Sequence, residues 1–112
     1  MTNEFPPYHR GDIVSIIGHP EETHVVFMLY AHGANPPDTA HTLSLVGEGE
    51  NQYVAVMTGG GIPIDLLVAT GRRFTNDELR TLYVRGASLS GLGKENGEEL
   101  WELLPPELVR KP

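Results

Sequence analysis

Residues 24–31 (HVVFMLYA) constrain the fold more than any other part of this chain. Read as a strand, they put Val26, Met28 and Tyr30 on one face and Val25, Phe27 and Leu29 on the other. Both faces are apolar, so the strand belongs at the centre of a sheet or in the wall of a small barrel, covered on each side. Its length and its valines favour strand over helix.

The flanking segments supply neighbours for it. Residues 12–17 (DIVSII) are β-branched and lie between Gly11 and Gly18, which marks a strand. His19, Pro20, Glu21 and Glu22 predict the turn that follows. Residues 33–38 contain two prolines with Asn and Asp and read as a loop. In 41–46, Leu43 and Leu45 alternate with Thr42 and Ser44, the pattern of a half-buried strand. Residues 52–58 (QYVAVMT) make a further strand. Centring the intervening turn on Gly49 and Glu50 sets Leu45 opposite Val54, Leu43 opposite Val56 and Ser44 opposite Ala55, so both apolar sets share one side. Gly59, Gly60 and Gly61 predict a flexible joint, and Pro63 places the next strand, 64–69, at an edge or beside a bulge.

After Gly71 the period changes. Thr75, Asn76, Asp77 and Glu78 form a capping box, with Phe74 and Leu79 as its hydrophobic staple. A helix over about 76–85 follows, with Leu79, Leu82 and Tyr83 as its apolar stripe and Gly86 as its left-handed end. Residues 87–97 are rich in glycine and serine and predict a mobile loop. Asn96 and Glu99 offer a second capping box for a short helix with Leu100, Leu103 and Leu104 on one face; a strand is the alternative for 98–104, and Pro105 and Pro106 end whichever forms. The expected organisation is an N-terminal arm at 1–10, a β domain with one short helix at 11–86, a flexible loop at 87–97, and a C-terminal segment at 98–112 that packs on the domain or extends from it. The class is mainly β, a small barrel or roll of about five strands.

Arg10, Gly11, Asp12, Ile13 and Val14, followed by a turn and a long apolar strand, resemble the opening strands of SH3-like and KOW-type small barrels. That resemblance covers about the first 70 residues and implies a short helical element before the final strand. It also implies an assembly or peptide-binding module, small bacteriophage head and tail components among them. Fold alone does not set function.

The chain has 112 residues, no Cys and a net charge of −7. Without Cys there is neither disulfide stapling nor a thiolate metal site. No apolar run approaches the ~20 residues of a membrane span, and the first eight residues lack the basic and apolar regions of a signal peptide. The expected location is therefore the cytoplasm or a virion assembled there, with no membrane partner. Charge is unevenly placed. Residues 1–71 hold eight acids against Arg10, a balance of −7, whereas 72–94 hold five bases against Asp77 and Glu78, a balance of +3. An acidic body argues against nucleic acid as partner, since Lys and Arg carry that binding. A single basic band suits a protein partner or further copies of the same chain. The candidate contacts are Arg72, Arg73, Arg80 and Arg85 of the band, with Pro6, Pro7 and Tyr8 of the arm.

Two other functions are open to this composition. A metal-dependent enzyme would use His32 and His41, which flank the 33–40 loop and face each other in one hairpin register, with Asp38 as third ligand. In that register Tyr30 faces Leu43; a shift of one residue pairs Ala31 with His41 and removes the site. No close-spaced ligand motif accompanies it. An acidic inhibitor that mimics nucleic acid would use Glu21, Glu22, Glu48 and Glu50. No serine lies in a nucleophile elbow, and Asp65, alone in an apolar segment, reads as an outward-pointing edge residue. No catalytic residue and no cofactor is assigned, and an interaction or assembly module is the leading expectation.

Overall fold

The spine of the molecule is one strand, His19–His32 (β2), 14 residues long. In the computed structural model, which describes residues 8–112 and only the backbone of Thr58, every other element is placed by reference to it. Asp12–Ile16 (β1) runs back along its first half, with Ile13 opposite Val25 and Ile16 opposite His19. That leaves Ile17 and Gly18 as a two-residue turn, and Gly18 takes the positive φ of 85° such a turn needs. The reversal is thus complete before His19, and residues 19–22, expected to be the turn, are the exposed start of β2.

Thr39–Val46 (β3), Tyr53–Pro63 (β4) and Leu67–Arg73 (β5) extend the sheet in the order β4-β3-β2-β1-β5. The last strand, Leu108–Lys111 (β6), pairs in parallel with Leu29–His32, beyond the point where β1 ends. Six strands in one sheet give the mainly β class. Among the described residues no pairing joins β4 to β5, so the path stays open and the expected closed barrel does not form. The β3–β4 hairpin has the expected register, Leu45 against Val54 and Ser44 against Ala55, around a helical turn at Gly49–Asn51. Leu43 and Val56 are not partners, because the register shifts there. The three glycines expected as a joint continue β4, Gly60 opposite Thr42 and Gly61 opposite His41. Pro63 ends that strand instead of opening the next; a helical turn, Ile64–Leu66, intervenes before β5.

The core is double. Val25, Phe27, Leu43 and Val54 pack with Leu79, Leu82, Tyr83 and Trp101 on the helical face. Val14, Val26, Leu29, Ala40 and Leu67 form a second cluster, enclosed by strands and by Tyr8. The spine serves both because it is apolar on both faces. It departs from strict alternation at one point: Val26 pairs with Thr42 but Met28 with His41, leaving Phe27 as the extra residue of a bulge. The bulge turns Leu29 onto the face of Val26, whereas strict alternation sets it with Phe27.

Asn76–Leu89 (α1) begins at the predicted capping box. The Thr75 hydroxyl accepts from the Glu78 amide at 3.1 Å, and the Glu78 carboxylate accepts from the Thr75 amide at 2.8 Å. Gly86 does not end this helix. It lies inside it, where an added methyl would overlap the Val54 carbonyl of β4, so its role is close approach and not a left-handed end. The helix therefore continues through residues expected to be loop. Lys94–Glu102 (α2) follows after a short turn, with Gly93 before its first residue and no side-chain cap; Asn96 Nδ2 donates to the Leu92 carbonyl instead. Its buried residues are Gly97 and Trp101; of the three expected leucines Leu104 packs against the core, while Leu100 and Leu103 are exposed. Residues 87–97 are thus a helix–turn–helix, 98–104 are helix and turn and not strand, and β6 lies beyond Pro105 and Pro106.

Candidate functional site

The observed register dissolves the candidate metal site. Met28 pairs with His41 and Tyr30 with Thr39, four residues away from the register that would oppose His32 and His41. Four residues of strand separate the two positions by roughly 13 Å. His32 stays with Asp38, Nδ1 to Oδ2 3.6 Å, on the exposed loop. His41 is half-buried between β2 and β4, and loss of hydration holds its pKa below the ordinary histidine value. The closest grouping of metal-type ligands among the described residues is elsewhere, at the exposed tip His19, Glu21 and Glu22, where His24 Nε2 also meets Glu22 at 3.2 Å.

Arg10, the lone base of the first 71 residues, has a structural task. The Gly11 amide donates to the Val26 carbonyl and the Leu29 amide to the Glu107 carbonyl, each at 2.8 Å, which leaves the Phe27 carbonyl between β1 and β6 without a strand partner. Arg10 Nε donates to it at 2.7 Å, and the same guanidinium reaches the Pro105 carbonyl. The Glu107 carboxylate accepts from the Arg10 amide at 3.0 Å and contacts His9 Nδ1 at 2.9 Å. Burial lowers the Arg10 pKa and the Glu107 charge opposes that shift. One side chain thus splices two strands onto one edge of the spine.

The basic band divides into two places. Arg72 and Arg73 end β5, which pairs with β1 on one side; among the described residues no strand pairs with its other side. Arg73 is bound to Asp12, whose hydrogen bond and charge raise the Arg73 pKa. Arg72 makes no ion pair among the described residues. Tyr8 is half-buried and donates its hydroxyl to the Leu67 carbonyl at 3.2 Å, so it packs against its own chain. Burial, and then the Asp12 charge, raise its pKa. Pro6 and Pro7 lie outside the described residues. A cleft of about 280 Å³ runs beside β5, lined by Tyr8, Asp12, Val14, Ala69, Arg72 and Arg73. Every β5 residue after Leu67 is exposed. Asp65, also exposed, sits in the preceding helical turn and not in a strand.

The backbone of β5 points the same way. The Ile17 amide donates to the Leu66 carbonyl at 2.8 Å, which directs Leu66 toward β1. By the alternation of an antiparallel ladder, Leu67 and Ala69 then turn their N–H and C=O groups to the open side. The Tyr8 hydroxyl on the Leu67 carbonyl agrees.

The other half of the band lies between the helices. Arg80, Val84, Arg85, Leu89, Lys94 and Glu98 line a groove of about 440 Å³, where Gly97 lets α2 come against Ala87. Arg80 meets Glu98 at 3.8 Å, Arg85 donates to the carbonyl of Gln52, just ahead of β4, and Lys94 makes no ion pair among the described residues. Sequence reasoning missed this groove because it took 87–97 for a loop; the spacing of Thr81, Arg85, Ser88 and Leu89 was its one local sign.

No family model, no curated protein and no solved structure matches this chain. Among the described residues no helix is long and apolar enough to cross a membrane.

Proposed function

We propose that this chain is a non-enzymatic protein-interaction module that binds an extended, acidic segment of a partner by adding it to β5 as a further strand. One observation carries the reading: a terminal strand with both faces exposed from Val68 to Arg73 and, among the described residues, no strand on its outer side, where the Tyr8 hydroxyl meets the Leu67 carbonyl at its start. Outward N–H and C=O groups supply affinity in such strand addition, and side chains beside them supply choice. Here the choice is Arg72, exposed and without an ion pair among the described residues, which selects a carboxylate. Separation of His32 from His41 removes the geometry on which the metal-dependent alternative rested.

Titration of the 15N-labelled protein with a soluble peptide of alternating Val and Glu tests this. The amides of Leu67 and Ala69 are expected to shift and to gain protection from exchange. Ala69→Pro removes one outward N–H at a position where an edge strand tolerates proline and should abolish the response while leaving the fold intact. A peptide that perturbs no β5 amide, or acts equally on the proline variant, would refute the reading.

A further inference from the structure

We infer that the groove between α1 and α2 receives the β1–β2 hairpin tip of a second copy of the chain, so that copies associate head to tail. The inference rests on the interaction-module reading but uses a different surface from β5.

The two patches match in charge and in apolar content. The groove carries Arg80, Arg85 and Lys94 against Glu98 alone, a balance of +2. The tip carries Glu21 and Glu22, a balance of −2, beside His19. Each patch also exposes a large apolar side chain, Ile17 at 56% on the tip and Leu89 at 64% on the lip of the groove. The tip projects as a two-residue turn with exposed strand ends, a convex shape for a concave site. Within one chain, among the described residues, the ion pairs of the tip stay among His19, Glu21, Glu22 and His24, and the groove pairs only Arg80 with Glu98. Lys94 is therefore available to a carboxylate from outside. The copies each carry −7 overall and repel at long range. Salt near 0.15 M screens that repulsion beyond about 8 Å while contacts closed within the groove persist. Because the surfaces differ, the contact is heterologous and extends to a third copy unless the rotation closes a ring.

Sedimentation equilibrium over a concentration series in 0.15 M salt gives the first measurement, and the weight-average mass is expected to rise above that of one chain. Two variants then separate the surfaces: Glu21→Lys with Glu22→Lys on the tip, and Leu89→Asp with Lys94→Glu in the groove. All four positions are exposed, so both variants should fold. Each alone should be monomeric, and an equimolar mixture should form a dimer and nothing larger, because one intact tip and one intact groove remain. A zero-length carbodiimide cross-link from Glu21 or Glu22 to Lys94, joining 14N and 15N chains of the unaltered protein, gives a readout that needs no variant. A wild-type protein monomeric up to about 1 mM, the weakest contact worth the name, would overturn the inference. So would variants that associate like the wild type, a mixture that stays monomeric, or cross-links confined to single chains. A monomeric protein whose β5 amides still answer the acidic peptide would sink head-to-tail assembly and leave the interaction-module reading standing.

Discussion

The two ends of the sheet are finished differently. At the β4 end, α1 lies against the first half of the strand, with Gly86 over the Val54 carbonyl and Arg85 donating to the Gln52 carbonyl. The second half of β4 is three glycines and a proline, which offers few side chains and one missing donor. At the β5 end no helix intervenes, and the strand is exposed on both faces. An open edge is a template for pairing with another chain, and proteins usually blunt it. Among the described residues, α1 covers one edge, while on the other the Tyr8 hydroxyl meets the start of β5 and no strand or helix follows it.

The largest test of this contrast is Gly86→Ala. The added methyl overlaps backbone, which cannot rotate away, so α1 must lift from β4. We expect a loss of about 3 kcal/mol, at the upper end of overpacking costs, and a fall in melting temperature of order 10 °C. Val68→Lys on the bare edge should change stability by no more than about 0.5 kcal/mol, the usual range for an exposed site without special contacts. Thermal unfolding of both variants measures the asymmetry; equal losses would mean that β4 is not sealed by the helix.

Next in size is Arg10→Ala, which touches neither end but the seam between them. It leaves the Phe27 carbonyl without its donor where β1 stops and β6 begins. The expected cost is about 2 kcal/mol, that of a buried acceptor left unsatisfied. Arg10→Lys should restore little of it, since a single ammonium lacks the fork that reaches both the Phe27 and Pro105 carbonyls. Urea unfolding gives the magnitude. Hydrogen exchange gives the place, with faster exchange expected at the amides of Leu29 and Gly33, which donate to the Glu107 and Lys111 carbonyls.

Thr75→Ala weakens the helix that covers β4 from its far end. Both bonds of the capping box depend on that residue's position, and the hydroxyl supplies one of them. The expected loss is about 1 kcal/mol. If it appears together with faster exchange in β4 but not in β5, the helix is confirmed as a cover for one edge only.

Legibility from sequence follows the range of the interactions. The capping box is readable because its bonds join residues three apart, and the β3–β4 turn because pattern and turn position agree within a dozen residues. The central place of 24–31 is readable because only burial on both sides tolerates two apolar faces. Gly86 was misread because its reason lies in Val54, far away in sequence. Gly59, Gly60 and Gly61 suggested a joint when judged alone, yet all three lie in β4, and Gly60 and Gly61 pair with Thr42 and His41 of β3. The hairpin register, Met28 against His41, lies four residues from the one that would oppose His32 and His41, and the bulge at Phe27 accounts for only one residue of shift along it. Of the candidate contacts, Arg72 fell on an open edge, while Arg73 and Tyr8 were already bound to Asp12 and Leu67 of the same chain. The groove combines two helices whose facing ends, 87–89 and 94–97, the glycine-rich composition concealed.

The smallest predicted effect distinguishes the two ends by pH. His41 lies in β3 between Met28 and Gly61, on the β4 side of the spine, whereas β5 holds no histidine. Burial lowers the His41 pKa in the folded state below the ~6.5 of the unfolded chain. Between those two values the unfolded state binds more protons, so stability rises with pH through that window and is lost as pH falls through it. Above about pH 6.5 this residue contributes no slope. His41→Gln keeps a polar group of similar reach without a titration, so the difference between wild type and variant, measured by urea unfolding from pH 7.5 down to pH 5, isolates the term from that of the other histidines. The wild type should lose more stability than the variant on acidification, and the exchange that speeds up should be in β3 and β4. An identical pH profile for the two proteins would show that His41 is as well hydrated as an exposed residue, and that the β4 side of the sheet is no better sealed than the β5 side.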